Sequence, residues 1–121
     1  MSGKYMAYVG SYSYTGKAKG ITVFDVDVKN GTFRERCEME VDNSSYVIAS
    51  SDGKTLYSIA DEGVVSFRIL QNGSLARLNS APIRGMRGCH LCTDMEDKYV
   101  FVSGYHDGKT TVLSLNKDGS V

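Results

Sequence analysis

Apolar residues along the chain fall in short runs rather than in helical stripes. YMAYVGSY, TLYSIADE and YVFVSGYH each read as a buried β-strand, and no window sustains a helical apolar period over several turns. Between the runs stand the pairs Asn30-Gly31, Asp52-Gly53, Asn72-Gly73, Asp107-Gly108 and Asp118-Gly119. Such pairs favour the backbone geometry that closes a tight hairpin, and they recur too often to leave room for helices. The expected fold class is all-β.

The strands also repeat. Placing Tyr8, Tyr57 and Phe101 in register, at separations of 49 and 44 residues, aligns MAYVGSYS, TLYSIADE and YVFVSGYH. The following segments GITVFDVDVKNGTF, GVVSFRILQNGSL and KTTVLSLNKDGSV then align as well, and SSYVIASSDGK and CHLCTDMEDK add a strand and a turn upstream of the second and third copies. One unit is therefore a four-stranded antiparallel meander of the length of a β-propeller blade. Blade 1 is expected over residues 4–41, blade 2 over 44–83 and blade 3 over 88–121, the first without its innermost strand and the third without its outermost. A closed propeller takes roughly four to eight blades. About two and a half blades predict the N-terminal part of a single propeller domain, with uncovered blade edges that would allow self-association.

In a meander the start of the innermost strand and the loop between the second and third strands lie at the same end. That end collects Ser44, Ser45, Tyr46, Arg87, Cys89 and His90 at the first position, and Ser11, Tyr12, Asp61, Glu62, Tyr105 and His106 at the second. Polar, titratable and aromatic side chains on one rim suit a small-molecule cleft. His90 opens an innermost strand and fits either a catalytic base or a histidine satisfied by hydrogen bonds. His106 fits an exposed turn residue or a ligand contact, Arg84 and Arg87 fit anion binding or solvated loop positions, and Asp61 and Glu62 fit acid/base groups or a polar loop end.

Charge and cysteine usage narrow the partners. Fourteen basic and fourteen acidic residues cancel, and without a basic patch nucleic acid is not an expected partner. No apolar run approaches membrane-spanning length and the N-terminus lacks a signal-peptide core, so neither a membrane nor export is expected and the location read is cytoplasmic. Cys37, Cys89 and Cys92 form an odd set, read as reduced thiols. Cys89 and Cys92, three apart on a strand, point to opposite faces, and no second pair completes a zinc site. No metal or cofactor is expected, and Cys92 is read as a small core residue.

With these segments in order, YVGSYS, GITVFDVDVKNGTF, SSYVIASSDGKTLYSIADE, LNSAPIRGMRGCHL and YVFVSGYHDGKTTVLSLNKDGS, the chain resembles the seven-bladed propeller lactonases, the bacterial 6-phosphogluconolactonase type related to the carboxymuconate lactonizing enzymes. The GxxGxCHL segment and the Tyr105-His106 pair are its most specific parts. Two positions depart from the family pattern, which has Pro where Ser44 and Gly88 stand here. The resemblance implies hydrolysis of 6-phospho-glucono-lactone to 6-phosphogluconate in the pentose phosphate route, with His90 as the catalytic residue. Tyr105, His106, Arg87, Tyr12 and Glu62 are the substrate-binding candidates, and the partner is a sugar lactone. The fragment alone is expected to be inactive, the family's remaining site residues falling beyond Val121. Two other readings fit the same rim: a muconate-type lactonizing or cycloisomerase activity, and a non-catalytic binding propeller.

Overall fold

The computed structural model describes residues 5–121; the expected start of the first unit, at residue 4, lies outside them. The regular structure of the described residues is ten strands: β1 (Tyr5–Gly10), β2 (Gly20–Asp27), β3 (Thr32–Glu40), β4 (Val47–Ala49), β5 (Thr55–Ile59), β6 (Gly63–Ile69), β7 (Leu75–Pro82), β8 (His90–Thr93), β9 (Tyr99–Ser103) and β10 (Thr110–Ser114). They form three antiparallel sheets, β1-β2-β3, β4-β5-β6-β7 and β8-β9-β10. These are propeller blades in succession, as the repeat predicts.

The register bears out the internal alignment. Tyr8 faces Val23, Tyr57 faces Ser66 and Phe101 faces Val112. A β-bulge also recurs at the same place in the repeat, between Val23 and Phe24 in the first sheet and between Ser66 and Phe67 in the second. The extra residues are Arg36 and Leu78, each of which bends its outer strand and increases its twist. The turns follow the dipeptides, with Gly31 at φ 67° and Gly73 at φ 87°, a backbone that strains any L side chain.

Two apolar layers hold the sheets together. Ile21, Val23, Leu56, Val65 and Phe67 lie between sheets 1 and 2, whereas Tyr57, Ile59, Val64, Leu91, Val100 and Val102 lie between sheets 2 and 3. Strand alternation sends Leu56 to one layer and Tyr57 to the other. Sheet 2 is covered on both faces, which is why all of TLYSI is buried while YMAYVG is not. Each large side chain so buried contributes about 1.5–3 kcal/mol relative to exposure.

One expectation is corrected. Cys92 is not a core residue but exposed, because Leu91 is the β8 residue that turns toward sheet 2 and alternation sends its neighbours to the other face. That outer face of sheet 3 also carries Tyr99 and Val112, and the outer face of sheet 1 carries Tyr5, Val9 and Phe33, all exposed.

Candidate active site

The rim where β4 and β8 begin is organised around Arg87, in the connection from β7 to β8. Its Nη2 donates to the Asn43 carbonyl and, at 3.2 Å, to the Ser45 hydroxyl. Its Nη1 reaches Asp61 Oδ1 at 3.4 Å, and its guanidinium lies over the Tyr12 ring, 5.3 Å from the centroid. A planar fork of donors can serve a carbonyl, a hydroxyl, a carboxylate and a ring face together, which a lysine cannot. All three sheets meet at this side chain, since Tyr12 belongs to the β1–β2 loop and Asp61 to the β5–β6 loop.

Asn43 ties the same region from below. Its φ is 52°, a left-handed conformation that Asn tolerates better than most residues. Its Oδ1 accepts from the Ser13 and Tyr14 amides at 2.8 and 3.1 Å, and its Nδ2 donates to both Asp61 oxygens at 3.0 and 3.2 Å. The next residue, Ser44, is buried, and its hydroxyl shares a 2.6 Å hydrogen bond with that of Ser58. Ser44 is thus part of the scaffold.

His90, the first residue of β8, is exposed, and its imidazole packs on Tyr46 with ring centroids 4.8 Å apart and planes tilted by 49°. Tyr105 and His106 form an edge-to-face pair at 5.4 Å in the β9–β10 loop, open to solvent. Asp107 anchors that loop by accepting from the Met86 amide at 2.9 Å. This hydrogen bond holds the Asp107 carboxyl below the usual carboxylate range, with further help from the Lys109 amide.

The candidates therefore divide. Tyr12 and Arg87 touch, His90 lies beyond them against Tyr46, and the Tyr105-His106 pair is tied through Asp107 to the segment carrying Arg87. Glu62 shares with Asp61 a cleft of about 520 Å³, lined also by Glu40, Asp42 and Arg77, that none of the other candidates lines. A cavity of about 770 Å³ lies at the opposite end of the sheets, among the turns that contain Asp52, Asp97 and Asp118. The sequence reading missed Asn43; its one signal was an Asp-Asn pair leading into an inner strand. Among the described residues, no three His, Cys, Asp or Glu side chains group as a metal site would.

Three neighbouring sheets of this kind with a polar rim define part of a β-propeller, and comparison with known proteins gives its kind. Residues 6–121 match the family model described as lactonase, seven-bladed β-propeller. The chain belongs to the seven-bladed β-propeller lactonase family. It is 33% identical over 124 residues to a 6-phosphogluconolactonase of Bacillus subtilis strain 168, covering 98% of this chain and 35% of that protein. A second 6-phosphogluconolactonase, from Formosa agariphila, is 29% identical, with 94% and 35% covered. Among solved structures, a Bacteroides fragilis protein assigned provisionally as a 6-phosphogluconolactonase superposes with a TM-score of 0.89 at 30% identity, covering 98% of this chain and 34% of that one. The periplasmic gluconolactonase of Pseudomonas aeruginosa shares the fold, with a TM-score of 0.85 at 23% identity over 97% of this chain and 36% of that one. The chain spans about a third of the length of the curated relatives it matches.

Proposed function

We propose that this chain carries part of the site of a 6-phosphogluconolactonase, which opens the ester ring of 6-phospho-glucono-lactone with water to give 6-phosphogluconate. The observation that carries the reading is the family match over residues 6–121, together with similarity to proteins of that name. In the proposed step His90 takes a proton from water, whose oxygen bonds to the ester carbonyl carbon. The oxyanion so formed collapses, the bond from that carbon to the ring oxygen breaks, and the proton passes to the released hydroxyl. A histidine suits this step because its ordinary pKa lies near neutrality.

Tyr105 and His106, exposed and next to each other, offer a ring face and donors to the sugar. Tyr12 and Arg87 present a positive charge, partly offset by Asp61, toward a phosphate. Glu62 is the weakest member of the set, since it lines a cleft that none of the other candidates lines. In the described residues no helix is long and apolar enough to cross a membrane. A cytoplasmic place in the pentose phosphate route agrees with three unpaired cysteines.

The domain reading follows the same line: residues 1–121 are the N-terminal part of one propeller. Its outer sheet faces, with Tyr5, Val9 and Phe33 at one end and Tyr99 and Val112 at the other, would pair with further blades or with a second copy. Lactone hydrolysis followed by proton release, corrected for spontaneous opening, tests the function. No turnover by the complete product of the gene would remove the hydrolase reading in favour of a binding propeller.

A further inference from the structure

We infer that Arg87 and Tyr46 are positioning residues that together orient His90. This rests on the reading of His90 as the base. The geometry runs through the linker from residue 43 to residue 46. Arg87 holds that linker at two points, the Asn43 carbonyl and the Ser45 hydroxyl. Tyr46 follows directly, and its carbonyl accepts from the Ile59 amide at 2.9 Å, so its backbone is held on the other side as well. Its ring then meets the His90 imidazole at 4.8 Å.

Among the described residues, no side chain or backbone group forms a hydrogen bond with the His90 ring, so packing on Tyr46 is the contact that sets its plane. A base must stay within hydrogen-bond reach of the proton it removes, and a displacement of about 1 Å costs up to about 100-fold in rate. Arg87 is suited to hold the linker as well as to lend the rim its charge. Its side chain is only 25% exposed, and both terminal nitrogens already have partners within the chain. The grip is also guarded from beneath, because Ser44 is pinned to Ser58 and packs on Gly10 so closely that no Cβ would fit there.

The chain has two histidines, so proton NMR reads His90 directly, with His106 as an internal reference. The expected result is a nuclear Overhauser contact between the Tyr46 and His90 rings and a ring-current displacement of the His90 signals. Tyr46→Phe should retain both and Tyr46→Leu should abolish them. Arg87→Gln should weaken the contact and move the His90 signals back while those of His106 stay in place. His90 signals that do not respond to Tyr46→Leu, or to Arg87→Gln, overturn the inference. If Arg87→Gln does not fold, Arg87→Lys makes the same test, because it keeps the charge and loses the fork. No turnover is needed for this readout. An oriented His90 in a protein that hydrolyses no lactone supports the positioning and counts against the hydrolase reading, whereas turnover with an unresponsive His90 does the reverse.

Discussion

The Tyr57 hydroxyl, on β5 of the second sheet, donates a 2.7 Å hydrogen bond to the carbonyl of Gly119 in the last turn of the third. Tyr8 makes the same 2.7 Å bond one unit earlier, to the carbonyl of Gly73. Both tyrosines occupy one position of the repeat, and both acceptors are glycines of Asn-Gly or Asp-Gly turns in the following unit. The second strand of each blade thus latches onto the outer turn of the next. Phe101 stands at the matching position in the third sheet and has no hydroxyl to offer.

Removing the latch should cost stability in proportion to one partly buried hydrogen bond. Tyr57→Phe is expected to lose about 1 kcal/mol, read as a lower urea midpoint at unchanged slope. A midpoint equal to wild type would show that the bond adds nothing beyond solvation.

The same phenol gives a pH dependence. Burial, with nearby Asp97, Asp52 and Asp118 adding to it, pushes Tyr57 up to about 12 from its usual 10.0. The folded state holds that proton more tightly than the unfolded state does. Its contribution is therefore complete below pH 10 and is lost as pH rises toward 12. Alkaline unfolding curves should show a fall in stability across that window, and Tyr57→Phe should shallow it.

A methyl group at Gly10 has nowhere to go. Its Cβ would sit 2.4 Å from the Ser44 carbonyl oxygen and 2.7 Å from the Ser44 hydroxyl, at the start of the linker that Arg87 grips. Gly10→Ala should destabilise by about 1–3 kcal/mol. Gly108→Ala, at φ 63° but with no atom within 4 Å of the new Cβ, should cost only about 1 kcal/mol of backbone strain. Thermal melts of the two variants side by side make the comparison.

Asp97 takes a turn position that glycine fills in the second unit, with φ 54° against 71° at Gly53. Its carboxylate accepts from the Ser51 and Asp52 amides at 2.8 and 3.1 Å, so it ties the turn of sheet 3 to that of sheet 2. Asp97→Ala keeps the strained backbone and loses both bonds, for an expected loss of about 2 kcal/mol. Asp97→Gly relieves the strain and should lose about half of that. Equal stabilities for the two variants would remove the backbone argument.

The strands, the turns and the repeat were legible in the sequence because each is written locally, in alternation and in Asn-Gly or Asp-Gly pairs. The latch was not, since Tyr57 and Gly119 are 62 residues apart and only the stacking of sheets brings them together. The fate of Cys92 turned on strand parity: in HLCT either Leu91 or its neighbours could face the core, and the apolar layer took Leu91. The rim residues were legible as a group from blade geometry. Their pairings were not, because strand order does not say that Asp61 joins Arg87 and Asn43 across three loops. Asn43 went unnoticed because its role depends on a left-handed backbone and on partners in two loops.

The most direct test measures proton release from freshly generated 6-phospho-glucono-δ-lactone by the complete product of the gene, with and without His90→Ala, after subtracting spontaneous ring opening. The account predicts turnover that falls by about 100-fold or more in the variant, the contribution of a positioned general base. Full turnover with alanine at position 90 would contradict it.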